Sequence, residues 1–219
     1  PRDILERTGV RAALAYLRLG TQPDAMQADD IVDVLRRPSR GLPQWFAKWL
    51  RGSMNVASVR AIADRIDDQK VIPKVRSLAD DLALVVAACD GGTTRRVLEV
   101  VRDDIGLGGA MQLLDSSKGG QTASQLDDLD ALLEVADLHP EPATFEPWLR
   151  GVLAQVTDDA GVTLSTVHRV KGMEWDHVVV AGVSGGVVPH RLAEDVEEER
   201  RVLHVAITRG RKQVVVLGD

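Results

Sequence analysis

The sequence predicts an α/β protein in which a large, mostly α-helical region precedes a small parallel sheet with helices packed on it. Through the first two-thirds of the 219 residues, apolar side chains recur at helical spacing. After residue 158 the pattern changes to β-branched and continuous apolar runs that are separated by one helical stretch. This order is expected for parallel strands joined by a helix. We therefore place the main domain boundary near residues 157–161.

The helical stretches of the first region are marked by apolar stripes and by start signals. They include RAALAYLRL, DDIVDVLRR, LPQWFAKWLRG, VASVRAIADRID and VRSLADDLALVVAAC. Asn55, Thr122 and Thr144 are predicted N-caps, because a short side-chain oxygen can accept from the free N–H groups at a helix start. Trp45 and Trp49 lie four residues apart in one stretch, a spacing at which aromatic pairs usually belong to a core, with stacking on DNA as the less common alternative.

The second region has four recognisable segments. GVTLSTV alternates like a strand, HVVVAGV has the continuous apolar character of a strand covered on both faces, VEEERRVLHVAITRGR is helical, and KQVVVLG is a further strand. Together these segments predict one flank of a parallel sheet.

Composition and charge limit the classes of function. Hydrophobic residues make up 44% and charged residues 27% of the chain, which is typical of a folded protein. The net charge of −6 argues against a broad basic surface, so any contact with nucleic acid must be local. The single cysteine, Cys89, excludes a disulfide or a cysteine zinc site within the chain. Without an apolar run of membrane-spanning length or a secretory pattern, we expect a cytoplasmic protein with no membrane partner.

Two polar segments of the second region could carry chemistry. STVHRVKGMEW, residues 165–175, follows a predicted strand, and ligands of parallel sheets bind at the carboxyl ends of strands. In EEERRVLHVAITRGRK, residues 197–212, Arg209 lies near the end of the predicted helix and could present a planar cation to a phosphate. The alternative is a solvated loop and a helix whose Glu and Arg side chains only pair on the surface.

The two segments, in this order, carry a resemblance to a known family. TVHRVKGMEW, residues 166–175, and EERRVLHVAITR, residues 198–209, resemble motifs V and VI of the UvrD/PcrA/Rep family of superfamily 1A DNA helicases. ALAYLRL, residues 13–19, is similar to the helix by which these enzymes leave their second RecA-like domain. RRPSRGL, residues 36–42, is similar to their N-x-P-x-R-G-I-G stretch. From the opening at Pro1, directly in a helical pattern, we expect the chain to be a portion of a longer protein.

The resemblance implies a RecA-like α/β subdomain with a large, mostly helical insertion. Residues 1–20 would begin the RecA-like subdomain 2A, residues 21–157 would form the helical insertion 2B, and residues 158–219 would complete 2A. The chain contains no G-x-x-x-x-G-K-[ST] loop of its own. ATP with Mg²⁺ would therefore be held mainly by the other RecA-like domain, 1A, and we expect the chain alone to be inactive.

The resemblance also implies roles for individual residues. Arg209 would be the catalytic arginine finger that reaches the γ-phosphate of ATP. Glu174 would accept hydrogen bonds from the ribose, with Lys171 and Gly172 near the nucleotide. Thr166 and His168 would contact DNA without selecting a base. No residue of the chain is expected to bind a metal directly.

At the level of function, the resemblance implies the 2A/2B portion of an ATP-dependent DNA helicase that translocates 3′ to 5′ in DNA repair. The expected partners are single-stranded DNA, junctions of single- and double-stranded DNA, and the 1A and 1B domains of the same polypeptide. Repair proteins could bind the helical insertion, and a bacterial nucleoid location follows. One alternative is a subunit of a RecB or AddA type helicase-nuclease. Another is a non-catalytic helical interaction module with a RecA-like remnant.

Overall fold

A computed structural model describes residues 2–117, 124–155, 161–170, 172–189 and 195–218. The chain divides into two compact units, Pro1–Thr157 and Asp158–Asp219. The division falls where the sequence pattern changes from helical to mixed. Residues 1–20 lie within the first unit, and the assignment of the three sequence ranges to 2A and 2B stays a prediction.

The first unit is helical, with one short strand pair. Its helices are α1 (Thr8–Thr21), α2 (Ala28–Val34), α3 (Val56–Ile62), α4 (Ile72–Cys89), α5 (Thr94–Glu99), α6 (Leu107–Ser117), α7 (Gln125–Ala136) and α8 (Pro142–Gln155). Short 3-10 helices lie at Arg2–Glu6, Gln44–Trp49 and Ala63–Arg65, and a π-helical turn lies at Val100–Asp104. Strands β1 (Met26–Gln27) and β2 (Ser53–Met54) pair antiparallel and have no counterpart in the sequence prediction. No helix in the described part of the chain combines the length and apolar character that a bilayer span requires.

Helix α1 lies at the centre of the core of this unit. Leu14, Tyr16 and Leu17 are at most 1% exposed, and α1 packs against α2, α4, α7 and α8. A Cβ atom at Gly20 would lie 2.6 Å from the Cys89 sulfur, so the close approach of α1 and α4 requires glycine at this position.

The start of α3 agrees with the prediction. The Asn55 side chain accepts a hydrogen bond from the Ser58 N–H over 2.8 Å, and the Ser58 hydroxyl accepts from the Asn55 N–H over 2.9 Å. This reciprocal pair satisfies two N–H groups that the helix itself leaves free.

Two other predicted N-caps are not observed. Thr122 lies outside the described residues, and the N-cap of α7 is Ser124, whose hydroxyl accepts from the Asp127 N–H over 3.1 Å. Thr144 lies inside the first turn of α8, because that helix begins at Pro142. Proline suits the first helical position, where an N–H would have no partner.

The stretch around the two tryptophans also differs from the prediction. Instead of an α-helix it forms the 3-10 helix Gln44–Trp49, in which Phe46 is fully buried. Trp45 and Trp49 are 40% and 36% exposed, so their predicted place in the core is wrong. A 3-10 helix has three residues per turn, so positions four apart do not share a face.

A polar cluster ties the loop after α2 to α1 and α4. The Arg40 guanidinium donates to Asp81 Oδ2 over 2.8 Å through Nε and to the Tyr16 hydroxyl over 2.7 Å through Nη2. The Tyr16 hydroxyl in turn donates to the Arg37 carbonyl over 3.0 Å. Only 6% of the Arg40 side chain is exposed. We call Tyr16, Arg40 and Asp81 the Arg40 cluster.

Alkaline titration should report the burial of Tyr16, which is the only tyrosine of the chain. Burial raises the pKa of Tyr16 from 10.0 to about 12, against the opposing effect of Arg40. Because the pKa of Tyr16 is higher in the folded state, this residue makes the free energy of unfolding about 3 kcal/mol larger below pH ~10 than above pH ~12. That stability is lost as the pH rises between these two values. Tyrosinate absorbance should therefore appear near pH 12 in the folded chain and near pH 10 in urea. Equal midpoints in the two states would contradict this prediction.

The second unit contains strand β3 (Trp175–Val180), helix α9 (Val196–Ile207) and strand β4 (Gly210–Val216), preceded by a 3-10 helix at Val167–Val170. The two strands are parallel, with Val178 opposite Val214. Helix α9 packs against both strands and buries Ala206. The predicted strand–helix–strand order is confirmed for this part of the chain.

Two details of the predicted sheet are wrong. Residues 162–166 do not form a strand, and Val162 and Leu164 are 91% and 93% exposed. An alternating apolar and polar sequence becomes a strand only where another strand pairs with it. Among the described residues only β4 pairs with β3. The expected cover on both faces of β3 is also not observed, since Val179 is 62% exposed.

Candidate functional site

The two polar segments meet at the start of the parallel strand pair. Trp175 pairs with Gly210, and the Trp175 N–H donates to the Arg209 carbonyl over 2.9 Å. Glu174 and Arg209 therefore directly precede neighbouring strands. The sequence predicts a site at a carboxyl strand end, whereas these residues lie at the amino ends of β3 and β4. The difference arises because residues 162–166 do not form the strand on which that prediction depended.

The Arg209 guanidinium is held by neutral oxygens. Nε donates to the Val205 carbonyl over 3.0 Å, Nη1 to the Met173 carbonyl over 3.3 Å, and Nη2 to the Thr208 hydroxyl over 3.1 Å. The first contact fixes the side chain to the end of α9, and the second links it to the loop before β3. Within the described residues Arg209 has no carboxylate partner, so its positive charge is not neutralised and could bind an anion.

Glu174 lies beside this arginine but is paired with another. Its Oε2 is 3.3 Å from Arg211 Nε, and both side chains are more than half exposed. An exposed ion pair of this kind contributes only about 0–1 kcal/mol. A ligand with hydroxyl groups could therefore exchange with Arg211 at little cost. A second exposed pair, Lys212 with Asp176 at 2.7 Å, lies next to it on the same two strands.

The remaining predicted site residues are described only in part. Gly172 has a φ of 85°, in the left-handed region that favours glycine, which agrees with the predicted unusual turn. Thr166 is exposed and directly precedes the 3-10 helix Val167–Val170. The His168 side chain and all of Lys171 lie outside the described part of the chain.

Glu and Arg side chains at the start of α9 pair on the surface, as the alternative without a bound ligand predicts. Arg200 pairs with Glu197 over 2.8 Å on the exposed surface. The Asp195 side chain caps the helix by accepting from the Glu197 N–H over 2.8 Å. The acidic first turn also complements the helix dipole. This end of α9 needs no ligand to explain its charges.

Two features of the site were not predicted from the sequence. One is the Met173 carbonyl, which anchors Arg209, and the other is the pair between Glu174 and Arg211. Both depend on the register of β3 and β4, which places residue 175 opposite residue 210. The only sequence signal for the ion pair is that Glu174 and Arg211, which adjoin the paired residues 175 and 210, carry opposite charges. No group of three or more potential metal ligands occurs among the described residues.

Comparison with known proteins agrees with the helicase resemblance. Residues 112–217 match the family of the UvrD-like helicase C-terminal domain. The recognition made from the two motifs is confirmed, since the chain is similar to the C-terminal portions of UvrD/PcrA-like superfamily 1A helicases.

Individual relatives extend the similarity over almost all of the chain. A probable DNA helicase II homolog of Rickettsia conorii is 25% identical over 96% of this chain and 34% of its own length. The ATP-dependent DNA helicase PcrA of Leuconostoc citreum is 28% identical over 95% of this chain and 31% of its own length. The ATP-dependent DNA helicase UvrD2 of Mycobacterium tuberculosis is 40% identical, over 42% of this chain and 15% of its own length. The chain thus spans about a third of the length of the first two relatives.

Proposed function

We propose that the chain is the 2A/2B portion of an ATP-dependent DNA helicase that translocates 3′ to 5′ on single-stranded DNA and acts in DNA repair. In this proposal residues 158–219 belong to the RecA-like subdomain 2A, and residues 21–157 form the helical insertion 2B. The protein would act on the nucleoid in the bacterial cytoplasm. The relatives bear the names of DNA helicases, which supports this class of activity.

The contact between Arg209 and the Met173 carbonyl is the observation that carries the proposal. These two residues are 36 positions apart in sequence, and their contact joins the end of α9 to the loop that contains Glu174, at one end of a strand pair. A non-catalytic remnant would have no need for an un-neutralised arginine beside an exposed carboxylate at this place. A nucleotide, which combines phosphates with ribose hydroxyls, matches both groups chemically.

The residues would act on a nucleotide as follows. Arg209 would stabilise the charge that develops on the transferring phosphoryl group, and Glu174 would accept hydrogen bonds from the ribose. Lys171 and Gly172 would lie near the phosphates. ATP and Mg²⁺ would be held mainly by a 1A domain of the same polypeptide, which supplies the phosphate-cradling loop.

DNA would be bound by the residues that precede this loop. Thr166 and His168 would contact phosphate or sugar without reading bases, as translocation along any sequence requires. Because residues 166–174 would contact DNA at one end and nucleotide at the other, a shift of this loop could couple hydrolysis to stepping. Repair proteins would be recruited through the helical insertion.

The full-length polypeptide provides the test. We expect it to hydrolyse ATP in the presence of single-stranded DNA and to displace a strand from duplexes with a 3′ single-stranded tail. The isolated 219-residue chain should do neither. A full-length protein that shows no DNA-stimulated hydrolysis would contradict the proposal, and unwinding only from a 5′ tail would contradict its direction.

A further inference from the structure

An exposed aromatic and basic surface belongs to the helical unit, whereas the site described above is formed by residues of the second unit. It consists of Trp45, Lys48, Trp49, Arg51 and Arg65, which we call the tryptophan patch. All five side chains are exposed. The chain has few aromatic residues, and others such as Tyr16 and Phe145 are fully buried, so two exposed indoles on one short 3-10 helix need an explanation.

The backbone under the patch is firmly held. Phe46 is fully buried and Leu50 is 6% exposed, which anchors the 3-10 helix Gln44–Trp49 from within and at its end. Side chains three positions apart eclipse each other in a 3-10 helix, so Trp45 and Lys48 lie on the same side. An aromatic ring and an ammonium group are thus presented together by a rigid turn.

The cations of the patch have no acidic partners within the described residues. The Arg51 Nε donates to the Lys48 carbonyl over 3.2 Å, and the Arg65 guanidinium lies 5.2 Å from the centre of the Trp49 ring. Neighbouring arginines of the same unit differ in this respect, since Arg60 is paired with Asp80 over 2.6 Å. On a chain with a net charge of −6, this is a local concentration of available positive charge.

We propose that the tryptophan patch binds unpaired nucleotides of DNA. The Trp45 ring would stack on a base, while Lys48 and Arg51 bind the adjoining phosphates. Arg65 covers the Trp49 ring and adds a further positive charge. Flat exposed rings interleaved with free cations match a single strand, whose bases offer aromatic faces and whose backbone is anionic. This inference rests on the proposed function only in taking DNA as the anionic polymer. The binding surface itself follows from the exposure and charge of the patch residues.

Photo-crosslinking of the full-length protein can locate the contact. A single-stranded oligothymidylate that carries 5-iododeoxyuridine should give an adduct on the peptide that contains Trp45. Adducts confined to other peptides would overturn the proposal, and equal yields with a fully paired duplex would overturn its restriction to unpaired bases. If an adduct forms at Trp45 but the protein shows no DNA-stimulated ATP hydrolysis, the proposed DNA binding by the patch is supported and only the proposed helicase function is contradicted.

Substitutions should then separate stacking from charge. Trp45→Ala should weaken binding of the oligothymidylate about 10-fold, whereas Trp45→Phe, which keeps a ring, should stay within about 3-fold of the unchanged protein. Lys48→Ala should lower the slope of log affinity against log salt by about 1. Arg60→Ala is the matched control, because this exposed arginine is already paired, and it should leave affinity unchanged.

Thermal unfolding curves show whether each variant keeps its fold. If Trp45→Ala is unfolded, the salt dependence of Lys48→Ala decides the question, because the Lys48 side chain is exposed and has no ion-pair partner among the described residues. Unchanged affinity in Trp45→Ala together with an unchanged salt slope in Lys48→Ala would overturn the proposal.

Discussion

Replacing Arg209 with alanine should reduce DNA-stimulated ATP hydrolysis by the full-length protein about 10³-fold or more, the size of effect that arginine fingers have in related phosphoryl transfer. The expected loss is large because, among the described residues of the site, the Arg209 guanidinium is the one positive group without a carboxylate partner. Binding of single-stranded DNA should change little, since Arg209 has no proposed contact with DNA. Steady-state hydrolysis and equilibrium DNA binding measure the two effects separately.

Two further variants make this prediction specific. Arg209→Lys keeps the charge but cannot donate to the Val205 and Met173 carbonyls in the same fork geometry, so most of the activity should still be lost. Arg200→Ala removes an exposed arginine of the same helix whose carboxylate partner among the described residues is Glu197, and it should retain full hydrolysis. Undiminished turnover in Arg209→Ala would refute the proposed role.

The parts of the site that the sequence predicted are those that depend on local pattern. The 3.6-residue periodicity of α9 places Arg209 just after the helix end, and the continuous apolar run predicts β3. The order of the two motifs along the chain then indicates the helicase family. These predictions hold because helix periodicity and strand character are properties of neighbouring residues.

The parts that the sequence could not predict depend on pairing between distant segments. The register of β3 on β4 decides that Glu174 pairs with Arg211, and no local rule fixes a parallel register. Residues 162–166 illustrate the same limit, because an alternating segment becomes a strand only where a partner strand lies beside it. The predicted crevice at a carboxyl strand end was wrong for that reason.

Helix caps in the first unit show the same distinction. Asn55 was predicted correctly because its partner, Ser58, is three residues away. At the start of α7 the Ser124 hydroxyl accepts locally from the Asp127 N–H, but the Asp115 carboxylate on α6 also accepts from the Gln125 and Leu126 N–H groups, over 2.9 and 3.1 Å. A cap supplied from another helix cannot be found from the sequence around the helix start.

Replacing Arg40 with alanine should lower the free energy of unfolding of the helical unit by about 3 kcal/mol. Arg40 belongs to the stretch that is similar to the N-x-P-x-R-G-I-G motif, and that similarity predicts no role for it. In the structure this side chain is almost fully buried and joins the loop to α1 and α4 through Tyr16 and Asp81. Its removal would leave the Asp81 carboxylate, 23% exposed, without its charged partner. Urea denaturation of the 219-residue chain measures the effect.

A double-mutant cycle distinguishes the pair from simple loss of packing. Asp81→Ala alone should also destabilise the unit, because it leaves Arg40 buried and unpaired, whereas the double variant should be less destabilised than the sum of the two. Arg60→Ala breaks an exposed pair with Asp80 and should cost less than about 1 kcal/mol. Additive losses in the cycle would mean that Arg40 stabilises the loop through its bonds to the Tyr16 hydroxyl and to the Val34 and Pro38 carbonyls, and not through Asp81.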